Sequence, residues 1–224
     1  MIEQALLAMQ LSDLPDLALQ MLEASKTTLA VFFLTLLFGL PLGLLVCAGR
    51  MSKIPVIRYP IQLFLLIMRG TPLILQLFFF YYLPYYIVGA TLPRFWAAIV
   101  AFALNYAAYF AEIYRGGIES MPKGQYEAAA VLGFSRGQTF FKIILPQVIK
   151  RILPPMSNEF MTLVKDTSLA QVIGVAELFR LATSTSTRVF STVPLVVAGV
   201  FYLVMNTIVA KGFSIAEKKL DYYR

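Results

Sequence analysis

The sequence predicts an all-α integral membrane protein with five transmembrane helices. Three observations carry that prediction. Of 224 residues, 59% are hydrophobic and 14% charged, against about a quarter charged in ordinary soluble domains. The apolar residues gather in stretches long enough to cross a hydrocarbon core, which takes about 20 residues per helix. The basic residues are distributed unevenly between the loops, as they are when Lys and Arg fix orientation.

Five crossings are expected at about 25–48, 57–88, 92–115, 151–178 and 192–213. The first runs from Thr27 to Ala48 without a charge except at its margins. The second is too long for one straight helix and is interrupted by Arg69-Gly70-Thr71-Pro72. Thr followed by Pro has the form of an N-cap and first turn, so a helix is expected to restart there inside the membrane. The third lies between Pro93 and Tyr114, and the fifth between Val193 and Phe213. The fourth carries Glu159, Lys165 and Asp166 within it and is the weakest span by composition. Before the first crossing, residues 2–22 set Leu6, Leu7, Leu11, Leu14, Leu17 and Met21 against Asp13, Asp16 and Gln20. That pattern fits an amphipathic helix on the outer surface, or equally an extension of the first span.

Thirteen of the nineteen basic residues fall in the loop after the first span, the stretch Arg115–Arg151 and the C-terminus. Lys26, Arg94, Arg180 and Arg188 fall on the other side. The asymmetry places the N-terminus outside and the C-terminus in the cytoplasm. It also explains the net charge of +7 without nucleic acid. A single cysteine, Cys47, excludes an intrachain disulfide, and the absence of histidine removes the commonest general base and zinc ligand. Neither a metal site nor a catalytic residue is expected, and no Walker A phosphate loop is present.

Polar groups inside the apolar stretches are the candidates for function, because intramembrane charge is costly unless paired or hydrated. Arg69 lies 11 residues beyond Arg58, about 16 Å along a helix and near the bilayer midplane. A half-helix starting at Thr71 would aim unpaired N–H groups at the bundle core, which suits a carboxylate. Asn105, Tyr109 and Glu112 are spaced i, i+4, i+7 and share one helical face. Lys165 and Asp166 are adjacent, so their side chains diverge by about 100° and each needs a partner elsewhere. Arg69, Gly70, Thr71, Asn105, Tyr109, Glu112, Lys165, Asp166 and Ser168 are therefore the candidate substrate-binding residues. The bland alternative is an ion network that fastens helices together.

The stretch 116–148 is too charged to span and too rich in Ala and Leu to be disordered. Within it stand Glu127-Ala128-Ala129, then Gly133, then Ile143, Leu145 and Pro146. The pattern reads as a short small-residue helix, a glycine able to end it or permit a turn, and a second amphipathic segment stopped by proline. Such an element can dock in a partner's groove.

This stretch resembles the coupling segment of the membrane subunits of binding-protein-dependent ABC importers. Arg69-Gly70-Thr71-Pro72, Ala108-Tyr109-Phe110-Ala111-Glu112 with Arg115-Gly116-Gly117, and Lys165-Asp166-Thr167-Ser168-Leu169 are similar to the polar amino-acid branch of that family. The resemblance runs from about Arg50 to Arg224. It implies the type I importer permease fold in a single domain, residues 1–224, in a bacterial cytoplasmic membrane. The implied activity is uptake of polar amino acids by alternating access. The implied partners are an ATP-binding cassette ATPase dimer, a second permease subunit and an extracytoplasmic amino-acid-binding protein. Glu127, Ala128, Ala129, Gly133, Ile143, Leu145 and Pro146 become the ATPase-coupling residues. ATP and Mg belong to the ATPase, so this chain is not itself an enzyme and needs no cofactor. The rival reading is a self-contained ion-coupled transporter with Glu112 or Asp166 as the ion site, which would call for an inverted repeat.

Overall fold

A computed structural model describes residues 13–220. The described residues form α1 (Leu14–Arg50), α2 (Pro55–Gly70), α3 (Leu73–Val88), α4 (Arg94–Glu119) and α5 (Lys123–Val131). A single turn α6 (Arg136–Gln138) passes through a π-helical stretch (Thr139–Ile144) into α7 (Leu145–Asp166). A 3₁₀ segment (Thr167–Ile173), α8 (Leu178–Val189) and α9 (Val193–Lys219) follow.

α4 is the hub. It packs most extensively on α1 and also touches α2, α3 and α7. Small residues permit that closeness, as they do where lipid supplies no hydrophobic drive between helices. A Cβ on Gly43 of α1 would lie 2.9 Å from Phe110 Cβ and 3.2 Å from the Ala107 carbonyl. Around this contact Val31, Phe32, Phe102, Tyr106, Phe110, Leu77 and Leu163 form the main core. At the far end of α4, a Cβ on Gly117 would collide with Ile152 of α7. The two helices therefore touch backbone to side chain at that level.

Three described helices, α1, α4 and α9, are each long and apolar enough to cross a membrane. The expected second crossing is not a straight span: α2 and α3 meet at 114° across Thr71 and Pro72. The expected fourth, 151–178, is not one helix. α7 begins earlier, at Leu145, and stops at Asp166. There Thr167 Oγ1 donates to the Val164 carbonyl and Ser168 Oγ to the Lys165 carbonyl, at 2.7 Å each. Such back-bonding to the preceding turn competes with the helical ladder, and the chain tightens to 3₁₀ until Gly174 turns it with φ +85°. Pro146 does not stop the second cytoplasmic segment as expected. It sits where the π-helical stretch passes into the first turn of α7, and the helix runs on through it to Asp166.

The chain from Leu14 onward continues unbroken into the first span, making α1 37 residues long. The amphipathic stretch expected at 2–22 lies outside the described residues as far as position 12.

Candidate functional site

The break between α2 and α3 is built from buried amides. Gln76, one turn into α3 and 5% exposed, donates through Nε2 to the Met68 carbonyl at 2.9 Å and to Thr71 Oγ1 at 2.9 Å. Asn105 of α4 donates to the Met68 carbonyl at 3.0 Å and to Gln76 Oε1 at 2.9 Å. These bonds occupy backbone carbonyls that α2 frees by ending, which in hydrocarbon would otherwise go unsatisfied at a cost of several kcal/mol. Thr71 does not cap α3 as expected. Its hydroxyl turns back to the Ile67 carbonyl at 2.8 Å, and Pro72 occupies the cap position with no side-chain hydrogen bond.

Asn105, Tyr109 and Glu112 all face this break. Asn105 reaches the Met68 carbonyl, the Tyr109 ring lies 5.5 Å from the Arg69 guanidinium carbon, and Glu112 Oε2 is 3.7 Å from Arg69 Nη1. Glu112 is shared by three arginines, with Arg115 Nη2 at 2.6 Å and Arg50 Nε at 3.8 Å besides Arg69. Arg115 also pairs with Glu119, and two carboxylates among three guanidiniums still leave the group net positive. Arg50, Gln62, Arg69, Gly70 and Glu112 supply the polar wall of an open cleft of about 580 Å³.

Beside this group Asp166 accepts a 2.8 Å hydrogen bond from Tyr106, whose ring centroid lies 6.3 Å from that of Tyr109. Lys165 is exposed and, among the described residues, makes no ion pair. The Ser168 hydroxyl is committed to the Lys165 carbonyl. The nine candidates thus form two adjoining groups: Arg69, Gly70, Thr71, Asn105, Tyr109 and Glu112 around the break, and Asp166 with its chain neighbours Lys165 and Ser168 beside Tyr106. Sequence reasoning missed Gln76 and Tyr106. Gln76 stood out as the one amide in the apolar run 73–88, whereas nothing local marked Tyr106.

In the coupling stretch, Ala129 is buried while Glu127, Ala128 and Gly133 are exposed. Gly133 adopts φ +79° with open space around it, so its requirement is conformational. It closes α5 with Gly133 N–H bonded to the Ala130 carbonyl and Phe134 N–H to Ala129, the pattern of a glycine C-cap. Ile143 and Leu145 are partly buried and Pro146 is exposed. Val131 and Leu132, 88% and 74% exposed, present an apolar tip beside them. Gln125 and Gln147 exchange amide hydrogen bonds at 2.8 and 2.6 Å, clamping α5 to α7.

Residues 16–221 match the family model described as binding-protein-dependent transport system inner membrane component. The chain belongs to that family. This permease is 38% identical over 198 residues to the L-cystine transport system permease protein TcyB of Bacillus subtilis (strain 168), covering 88% of this chain and 84% of the relative. It is 35% identical over 200 residues to the arginine transport system permease protein ArtQ of the same organism, covering 89% and 91%. Its fold superposes on a crystal structure of an amino acid ABC transporter with histidines, at a TM-score of 0.86 and 32% identity, covering 94% of this chain and 99% of the other.

Proposed function

We propose that this chain is the transmembrane subunit of an ATP-driven importer for polar amino acids, working by alternating access in a bacterial cytoplasmic membrane. The observation that carries the reading is the helical run from Arg136 to Asp166. It joins the coupling stretch at one end to an acidic side chain on the bundle interior at the other. ATPase subunits docked on Glu127, Ala128, Ala129, Gly133, Ile143, Leu145 and Pro146 then have a continuous element through which to act. Hydrolysis of ATP, with its Mg, belongs to them and not to this chain, which needs no cofactor of its own.

In this reading the bent pair α2–α3 and the α7–3₁₀ segment supply the second and fourth of five crossings in a single domain. The N-terminus lies outside and the C-terminus inside. A second permease subunit faces the cleft, and a binding protein delivers substrate from outside. Arg69 and the ends of the break would attract the substrate carboxylate, while Asp166 would attract its ammonium, with Asn105 and Tyr109 between them. Two relatives named for L-cystine and arginine transport support the substrate class. The ion-coupled alternative finds no support in a family defined by dependence on a binding protein.

Reconstitution with ATPase and binding protein in liposomes tests this. Amino-acid uptake should require ATP, fall in Asp166→Asn, and persist in the Cys47→Ala background. In that background Ser184→Cys should react with external reagent and Val131→Cys should not. Uptake driven by an ion gradient without ATP would overturn the proposal.

A further inference from the structure

At the end of α4 opposite the coupling stretch, two guanidiniums converge on one point. Gly174 ends the 3₁₀ segment in a left-handed conformation, and the position its Cβ would take lies 2.9 Å from Arg94 Nη1 and 2.9 Å from Arg180 Nη1. The two nitrogens are therefore no more than about 6 Å apart, where their like charges repel and an anion between them would be attracted to both. Any side chain at position 174 would push them aside.

Neither guanidinium is neutralised. Among the described residues no acidic side chain lies within ion-pair distance of Arg94 or Arg180. Arg180 Nη1 is buried without a hydrogen-bond partner, which is costly unless an acceptor arrives. Arg94 contacts only the Tyr81 hydroxyl, at 3.4 Å. Glu177, the nearest acid in sequence, is fully engaged: its carboxylate accepts from the backbone N–H groups of Phe179 and Arg180 and from the Tyr202 hydroxyl.

We propose that Arg94 and Arg180, held together over Gly174, form a docking site for an acidic side chain of the extracytoplasmic binding protein. The proposal rests on the importer reading and its orientation, which puts this end outside. Two forked guanidiniums with no carboxylate in ion-pair reach among the described residues suit an anion carrying no cation of its own. A free amino acid fits poorly, because its ammonium would meet the same two positive groups. Arg94 is exposed at the rim, so a protein surface closing over it would exclude water and strengthen the pair. Gly174 directly follows the 3₁₀ segment that begins after Asp166, so docking there touches the same stretch of chain that carries the proposed substrate group.

The test uses the permease assembled with its ATPase in liposomes, with the binding protein that stimulates the wild-type complex as probe. The readout is the binding-protein concentration giving half-maximal ATP hydrolysis and uptake. Arg94→Gln should raise it severalfold and the double variant with Arg180→Gln about tenfold or more, with the maximal rate recovered at saturation. The double lysine variant should restore part of the loss, since it keeps charge without the fork. Replacing acids on the binding protein one at a time should reveal one whose loss adds nothing to the double variant. An unchanged half-saturating concentration overturns the docking site alone. A defect that saturation does not relieve assigns the arginines to the substrate path and overturns it too, as does a defect seen only in vesicles containing anionic lipid. A wild-type complex that no amino-acid-binding protein stimulates overturns the importer reading beneath it.

Discussion

The chain interrupts its helices twice within the bundle, and the two interruptions are held in different ways. Between Gly70 and Leu73 the Thr71 hydroxyl bonds back to Ile67, but the Met68 carbonyl is met from outside the turn, by Gln76 of the next helix and Asn105 of α4. After Asp166 the chain largely holds itself, with Thr167 and Ser168 bonding back to Val164 and Lys165, while Tyr106 and Tyr202 reach across. The first interruption leans more on contacts that the tertiary structure supplies. The second is written mainly into three consecutive residues. A break that depends on neighbours reports their movement, whereas a locally made one keeps its shape while its surroundings move.

Substitutions can break or sharpen that contrast. Gln76→Leu has the largest expected effect: it removes donors to Met68 and Thr71 and strands Asn105, costing roughly 2–3 kcal/mol. Thermal unfolding of the assembled complex in detergent should show it, together with loss of uptake; an undisturbed midpoint would mean the amides are incidental to the break. Gly133→Val comes next, at about 1–2 kcal/mol for a left-handed residue. Because the space around Gly133 is open, the chain should insert normally while its association with the ATPase, followed by co-purification, weakens. Tyr106→Phe deletes one hydrogen bond worth about 1 kcal/mol and should alter uptake more than stability, by loosening Asp166. Ser168→Ala should be smallest, within about 0.5 kcal/mol, since Thr167 still bonds back. A larger loss at Ser168 than at Gln76 would invert the comparison.

These differences also mark what the sequence could disclose. The face Asn105-Tyr109-Glu112 was legible from spacing alone, because helical periodicity is a local property. So was the need for glycine at 133, where the structure shows φ +79°. The capping role expected of Thr71 failed because cap preference is a statistical tendency, and here Gln76 offered the hydroxyl a competing partner. Pro146 misled because proline commonly ends a helix, yet here the run passes through it from the π-helical stretch into α7. The bond from Tyr106 to Asp166 joins residues 60 apart in sequence, and nothing in the local pattern could have announced it. The break in the second stretch was legible from Arg69-Gly70-Thr71-Pro72, but neither its 114° bend nor the end of α7 at Asp166 was, because hydropathy measures how apolar a stretch is, not where its axis turns.

The contact of Gly117 with Ile152 sets a mechanical condition on everything beyond it. Ile152 lies near the middle of the run from Arg136 to Asp166, with about 24 Å of helix on the coupling side and about 21 Å on the other. Were the run to pivot at that contact, its two ends would move by nearly equal amounts in opposite directions. Pro154 and Pro155 stand just past Ile152, where each removes a hydrogen bond from the ladder. The run is therefore most compliant just past that contact, on the side that leads to Asp166.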